Sequence, residues 1–194
     1  MYSSSPEKSD MSRIVSPAHA ERLLKIIQET EMAGSKILLG GSASCNPSAR
    51  FITPTIVLNP PLTSTLMKEE IFGPVLPIIT VKSEKEAVDI IKDMPGTPLA
   101  LYVFTTSSAV FERIIFQCPS AAAVRNDVIV HFASSYLPTG GLGTSGWGSY
   151  HGKFSFEAFS HKRVVNFKPC HQLFEYGGIR YVESVRLVEI LVSV

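Results

Sequence analysis

Apolar residues first fall into a helical pattern at Leu23, Leu24, Ile26 and Ile27, shortly after Ser16-Pro17. Serine suits the N-cap of a helix and proline its first turn, so a helix is predicted from residue 17, with Gly34 as its stop. Lys36 to Gly41, KILLGG, then reads as a strand running into a turn, and Ser42 to Ala49 as a loop of small residues. The segment FITPTIVLN, 51–59, is expected to be extended, with Pro54 placing it toward a sheet edge. LPIITV, 76–81, is a short apolar run of the kind that forms a buried strand. Ser83 and Glu86 have capping-box spacing and predict a helix through Asp93, with Ala87, Ile90 and Ile91 on its apolar face.

LALYVFT (99–105) follows as a strand, SAVFERIIFQC (108–118) as a helix and AAAVRNDVIVH (121–131) as a further extended segment. Strand, helix, strand, helix, strand at these lengths predicts an α/β fold with a parallel layer and right-handed crossovers. From Pro138 to Gly152 six of fifteen residues are glycine, which suggests a long irregular loop. FSFEAFSH (154–161) returns to helical spacing, with Phe154, Phe156 and Phe159 as packing residues, and Lys162 to Phe167 is expected to close the pattern as a strand.

The 194 residues are 45% hydrophobic and 18% charged, which suits a soluble globular domain with one core. A net charge of +1 with no basic block argues against a nucleic-acid partner. Cys45, Cys118 and Cys170 are widely spaced and contain no C-x-x-C pair, which argues against a disulfide framework or a zinc site and suits a reducing compartment. The opening MYSSSPEKSD lacks a secretory pattern and is expected to form a surface loop. The final LVEILVSV is apolar but short and interrupted by Glu189, so no membrane span is expected and the cytoplasm is the expected location.

Four motifs invite a chemical reading. Glu69 and Glu70 precede Phe72-Gly73-Pro74; alone, two adjacent acids read as a solvated loop. Gly141, Gly143 and Gly146 spell G-x-G-x-x-G, but no buried strand leads into them and no helix pattern opens from them, so phosphate binding is not expected there. Asn126-Asp127 is read as backbone-satisfying at a strand end. His151 has no serine or cysteine partner at a telling spacing, so a structural or substrate-tunnel role fits it better than catalysis. None of the three cysteines has a base or a positive neighbour placed to activate it, so each is expected to be inert.

In order, EEIFGPV (69–75), LPIITV, PLALYVF (98–104) and SGWGSYHGK (145–153) resemble the C-terminal half of the NAD(P)-dependent aldehyde dehydrogenases. The class 3 branch, which includes the fatty aldehyde dehydrogenases, is the most similar, and the resemblance runs from Tyr2 to Lys168. It implies a partial catalytic domain over 1–168, lacking the N-terminal dinucleotide-binding domain, and a divergent tail over 169–194. It also implies that Glu70 accepts hydrogen bonds from the ribose hydroxyls beside the nicotinamide of NAD or NADP and that Phe72 packs against that end of the cofactor. Glu69 is then structural, and the glycine-rich loop lies near the substrate tunnel, where Thr139, Thr144 and Trp147 depart from the family's usual residues.

In full-length relatives a cysteine thiolate attacks the aldehyde, hydride passes to NAD(P), and a glutamate activates water. The resemblance places those groups before Met1, so no catalytic residue is expected in this chain and stand-alone activity is not expected. Lys162–Phe167 corresponds to a strand that joins a dimer interface, which implies a homodimer or heterodimer. The alternative of a different class is a non-catalytic interaction protein that docks onto a full-length relative through that strand.

Overall fold

The computed structural model describes residues 10–167 and 190–193. Most of the opening decapeptide and the tail from 168 to 189, Cys170 included, lie outside the described residues, as does the expected boundary between 168 and 169. The chain divides into two compact units, Met1–Pro95 and Gly96–Val194.

The first unit is organised by helix α1, Pro17–Met32. Ser16 Oγ accepts the His19 N–H at 3.3 Å, and Pro17 occupies the first turn, where its missing N–H costs no intrahelical bond. Gly34, at φ +76°, supplies the left-handed residue that ends the helix. Ala20, Leu23, Ile26 and Ile27 are buried and join Ile52, Val57, Leu66 and Val75 in the core. Leu24, expected among them, packs only at the margin of this cluster.

Strands β1 (Lys36–Leu39), β2 (Thr55–Leu58) and β3 (Val75–Ile78) form one sheet in the order β1-β2-β3. β1 pairs antiparallel with β2, and β2 pairs parallel with β3 in the register Thr55↔Val75 to Leu58↔Ile78. The expected edge position of the 51–59 segment is therefore wrong: β2 is the central strand. Pro54 lies one residue before the ladder, so its missing N–H removes no sheet bond. Gly40 marks the close approach of the turn after β1, since a Cβ there would lie 2.2 Å from the Pro54 carbonyl oxygen. The small-residue segment that follows contains two single turns of 3-10 helix, Ser42–Ser44 and Pro47–Ala49.

Helix α2, Thr65–Lys68, lies on the connection from β2 to β3. Helix α3, Glu84–Asp93, starts at Ser83, whose Oγ accepts the Glu86 N–H at 3.2 Å. The Glu86 carboxylate in turn accepts the Lys82 N–H at 2.7 Å. The deepest residue of α3 is Val88, which the expected apolar face omitted.

In the second unit β4 (Ala100–Val103) and β5 (Ala122–Arg125) pair in parallel, joined by α4 (Ser108–Gln117). The described ladders are thus separate, β3 with β2 and β4 with β5, rather than one continuous parallel run. Extended structure stops at Arg125. Asn126 and Ile129 take positive φ, and Val130–Ala133 is a 3-10 turn, so VIVH is not strand as expected.

The glycine-rich stretch is more regular than expected. β6 (Thr139–Gly140) and β7 (Ser149–Tyr150) pair antiparallel around a 3-10 turn at Gly143–Ser145. Helix α5 runs Gly152–Ala158, but Phe156 and Phe159 are exposed rather than packed, and Phe154 is half-buried. The closing strand β8 is Ser160–Arg163, earlier than the expected 162–167, and pairs antiparallel with β9, Ile190–Ser193.

Candidate functional site

The run Glu69–Val75 leaves α2 and enters β3, and helix α1 shapes it. Arg22, on α1, donates from Nη2 to the Ile71 carbonyl at 2.6 Å, and its Nη1 lies 3.7 Å from the Glu69 carboxylate. The next residue of the helix, Leu23, is fully buried, and a Cβ on Gly73 would fall 2.5 Å from Leu23 Cδ1. Positions 71 and 73 are therefore held against α1, and Glu69 meets Arg22 at the surface.

The two positions between them are turned out. Glu70 is exposed, and its carboxylate has no hydrogen-bond or ion-pair partner among the described residues. Phe72 is 77% exposed and sits at φ +49°, a backbone region that side chains other than glycine seldom adopt. A large ring left in water on a strained backbone contributes nothing to the core. Such outliers cluster where a surface is shaped for a ligand. Glu69, in contrast, faces Arg22 across a half-exposed ion pair at 3.7 Å.

An exposed carboxylate can accept two hydroxyl donors with charge-assisted bonds, and a neighbouring ring can cover one face of a planar heterocycle. An acceptor and a ring so placed fit the nicotinamide-ribose end of a dinucleotide. It does not supply a phosphate cradle. Gly141, Gly143 and Gly146 fall between β6 and β7 and at their 3-10 turn, not between a strand and the N-terminus of a helix.

The other sequence candidates serve the backbone. Asn126 Oδ1 accepts the Thr105 N–H at 2.7 Å while its Nδ2 donates to the Thr105 carbonyl at 3.0 Å. Asp127 accepts the Val128 N–H at 2.8 Å. His151 Nδ1 lies 3.2 Å from the Ser134 carbonyl, which can only accept, so that bond needs the proton on Nδ1. The same nitrogen lies 3.2 Å from Thr139 Oγ1, and the His151 N–H donates to Ser155 Oγ at 2.9 Å. Thr144 accepts the Thr97 N–H at 2.7 Å, which ties the turn between β6 and β7 to the loop before β4. Trp147 is 94% exposed.

Cys118 is buried at the end of α4, and Cys45 is half-buried with Sγ 3.5 Å from the Gly41 carbonyl. The Cys45 contact is to a backbone carbonyl, which is no base to activate a thiol. Among the described residues no group of three or more His, Cys, Asp or Glu is disposed to hold a metal ion, and no helix is long and apolar enough to cross a membrane. Arg22 is the residue that sequence reasoning missed. Its partner lies 49 positions away, and a lone arginine on a helix carries no local sign of such a contact.

Comparison with known proteins agrees with the motif order. The model of the aldehyde dehydrogenase family matches residues 2–165. The chain belongs to the aldehyde dehydrogenase family. It is 43% identical over 197 residues to aldehyde dehydrogenase family 3 member H1 of Arabidopsis thaliana, covering 99% of this chain and 39% of that protein. It is 41% identical over 169 residues to the dimeric NADP-preferring aldehyde dehydrogenase of Canis lupus familiaris, covering 87% of this chain and 36% of that protein. Among solved structures, the substrate-bound state of Staphylococcus aureus AldH superposes with a TM-score of 0.75 at 38% identity, over 82% of this chain and 34% of that one. The chain thus spans a little over a third of the length of these relatives, and its mixed α/β architecture is that of part of an aldehyde dehydrogenase.

Proposed function

We propose that this chain supplies one wall of the cofactor site of an NAD(P)-dependent aldehyde dehydrogenase that oxidises aldehydes to carboxylates, and that it is inactive alone. The observation that carries this reading is the division of labour in the 69–73 run. Arg22 and Leu23 hold positions 71 and 73, while an unpartnered carboxylate and an exposed ring face outward at 70 and 72. Glu70 accepts the hydroxyls of the ribose beside the nicotinamide, which orients that ring, and Phe72 excludes water from one side of it. When bound, the nicotinamide supplies the hydride acceptor of the reaction.

The nucleophilic cysteine and the water-activating glutamate belong to sequence outside this chain. Members of a catalytic set act as a unit, so a chain holding none of them is expected to turn over no aldehyde. Pairing with a second subunit through Lys162–Phe167 is part of the same reading, and β9 already lies along one side of β8, the strand that holds the first two of these residues. A reducing, cytoplasmic setting is part of the same reading and accords with widely spaced cysteines that form no C-x-x-C pair.

The test is to recover the native polypeptide that carries this sequence and to follow aldehyde-dependent formation of reduced nicotinamide. We expect a longer polypeptide to be active and the 194-residue chain by itself to be inactive. Turnover by the 194-residue chain would overturn the reading. A native product of 21.2 kDa with no turnover would leave the non-catalytic interaction protein in its place.

A further inference from the structure

We propose that Arg22 is a positioning residue for the cofactor wall, acting through the backbone of Glu69–Gly73 rather than by touching the ligand. The inference rests on the reading of Glu70 and Phe72 given above. It adds a cause: the orientation of those two side chains is imposed from α1. A loop that leaves a four-residue helix and enters a strand has few bonds of its own. Here the Val75 N–H reaches the Gly73 carbonyl at 2.8 Å, and the Thr55 N–H reaches the Pro74 carbonyl at 2.9 Å. Neither bond fixes the direction of residues 70 and 72.

The Arg22 guanidinium does fix it. A hydrogen bond at 2.6 Å from a charged donor to the Ile71 carbonyl pins the peptide that separates the two outward side chains. The contact to Glu69 at 3.7 Å is long and half in solvent, so it steers the guanidinium more than it holds the loop. Leu23 meets Gly73 immediately afterwards, where any side chain would collide with the core. With 71 and 73 held against α1 and the backbone turned into the left-handed region at Phe72, the side chains of 70 and 72 stay in solvent. The positive φ of Phe72 is then the strain that this clamp sustains. The fork geometry matters: lysine has one point charge and cannot reach two acceptors in a fixed plane.

The experiment compares Arg22→Met, Arg22→Lys and Glu69→Gln with the unaltered chain by amide hydrogen exchange and by saturation transfer to NADH. Arg22→Met is expected to speed exchange at Val75 and Thr55 about tenfold or more, the loss of one bond from a charged donor, while Ile26 and Ile27 in α1 keep their rates. It is expected to reduce transfer to the nicotinamide protons as far as Glu70→Gln does, with Arg22→Lys recovering part of both effects and Glu69→Gln changing little. Unchanged exchange at Val75 and Thr55 in Arg22→Met would overturn the clamp. Faster exchange with undiminished transfer would overturn the positioning role while leaving Glu70 and Phe72 as the contacts. If Glu70→Gln and Phe72→Ala also left transfer unchanged, or the unaltered chain gave none, the cofactor reading itself would fall, and the positioning role with it.

Discussion

Among the described residues, the first unit holds a contiguous buried apolar cluster, and the second buries few large side chains. In Met1–Pro95 a contiguous cluster joins α1 to β2, β3 and α2, and Leu23, Ile27, Ile52 and Val57 are almost wholly inaccessible. In the described part of Gly96–Val194 the buried residues are Val103, Cys118 and Thr139, while Phe116, Tyr136, Trp147, Phe159 and Phe167 each stand 80% or more exposed. Monomeric proteins seldom leave so many large side chains in water without a partner for them. The lesson is that the outward residues of the two units differ in kind. In the first unit Phe72 is exposed because its neighbours are clamped; in the second, aromatic exposure is general and marks surface that the described residues leave open.

The largest test of this contrast is a pair of substitutions. Leu23→Ala removes a fully buried side chain and is expected to cost about 2–5 kcal/mol in denaturant unfolding, with faster exchange at Val75 because Gly73 loses its support. Trp147→Ser should change stability by less than about 0.5 kcal/mol, yet lower the binding of a hydrophobic dye. Equal costs at the two positions would erase the distinction.

A smaller effect is expected at the start of α3. Ser83→Ala removes the acceptor for the Glu86 N–H and should cost about 1 kcal/mol, read by the same unfolding measurement. The smallest is Glu70→Gln, at an exposed carboxylate without a protein partner, which should leave stability within about 0.5 kcal/mol of the unaltered chain. A substantial loss there would mean that Glu70 serves the fold.

What could be read from sequence was what neighbouring residues decide. Ser16-Pro17 and Gly34 bounded α1, and Ser83 with Glu86 started α3, because caps act within one helical turn. Three features did not follow, and each depends on contacts beyond a single helical turn. The central place of β2 comes from its pairing on both sides, which no local pattern announces. The turn-and-ladder of the glycine-rich stretch depends on backbone approach: a Cβ on Gly140 would lie 2.0 Å from the Gly148 carbonyl oxygen. Phe156 and Phe159 follow helical spacing, but a helix has a packing face only where something lies against it.

The most direct test of the central claim is saturation transfer from the 194-residue chain to NADH, resolved by proton, in the unaltered chain and in Glu70→Gln. The account predicts transfer to the nicotinamide ring and its ribose, little to the adenine, and loss of the signal in Glu70→Gln. Transfer centred on the adenine, or transfer indifferent to Glu70, would contradict it.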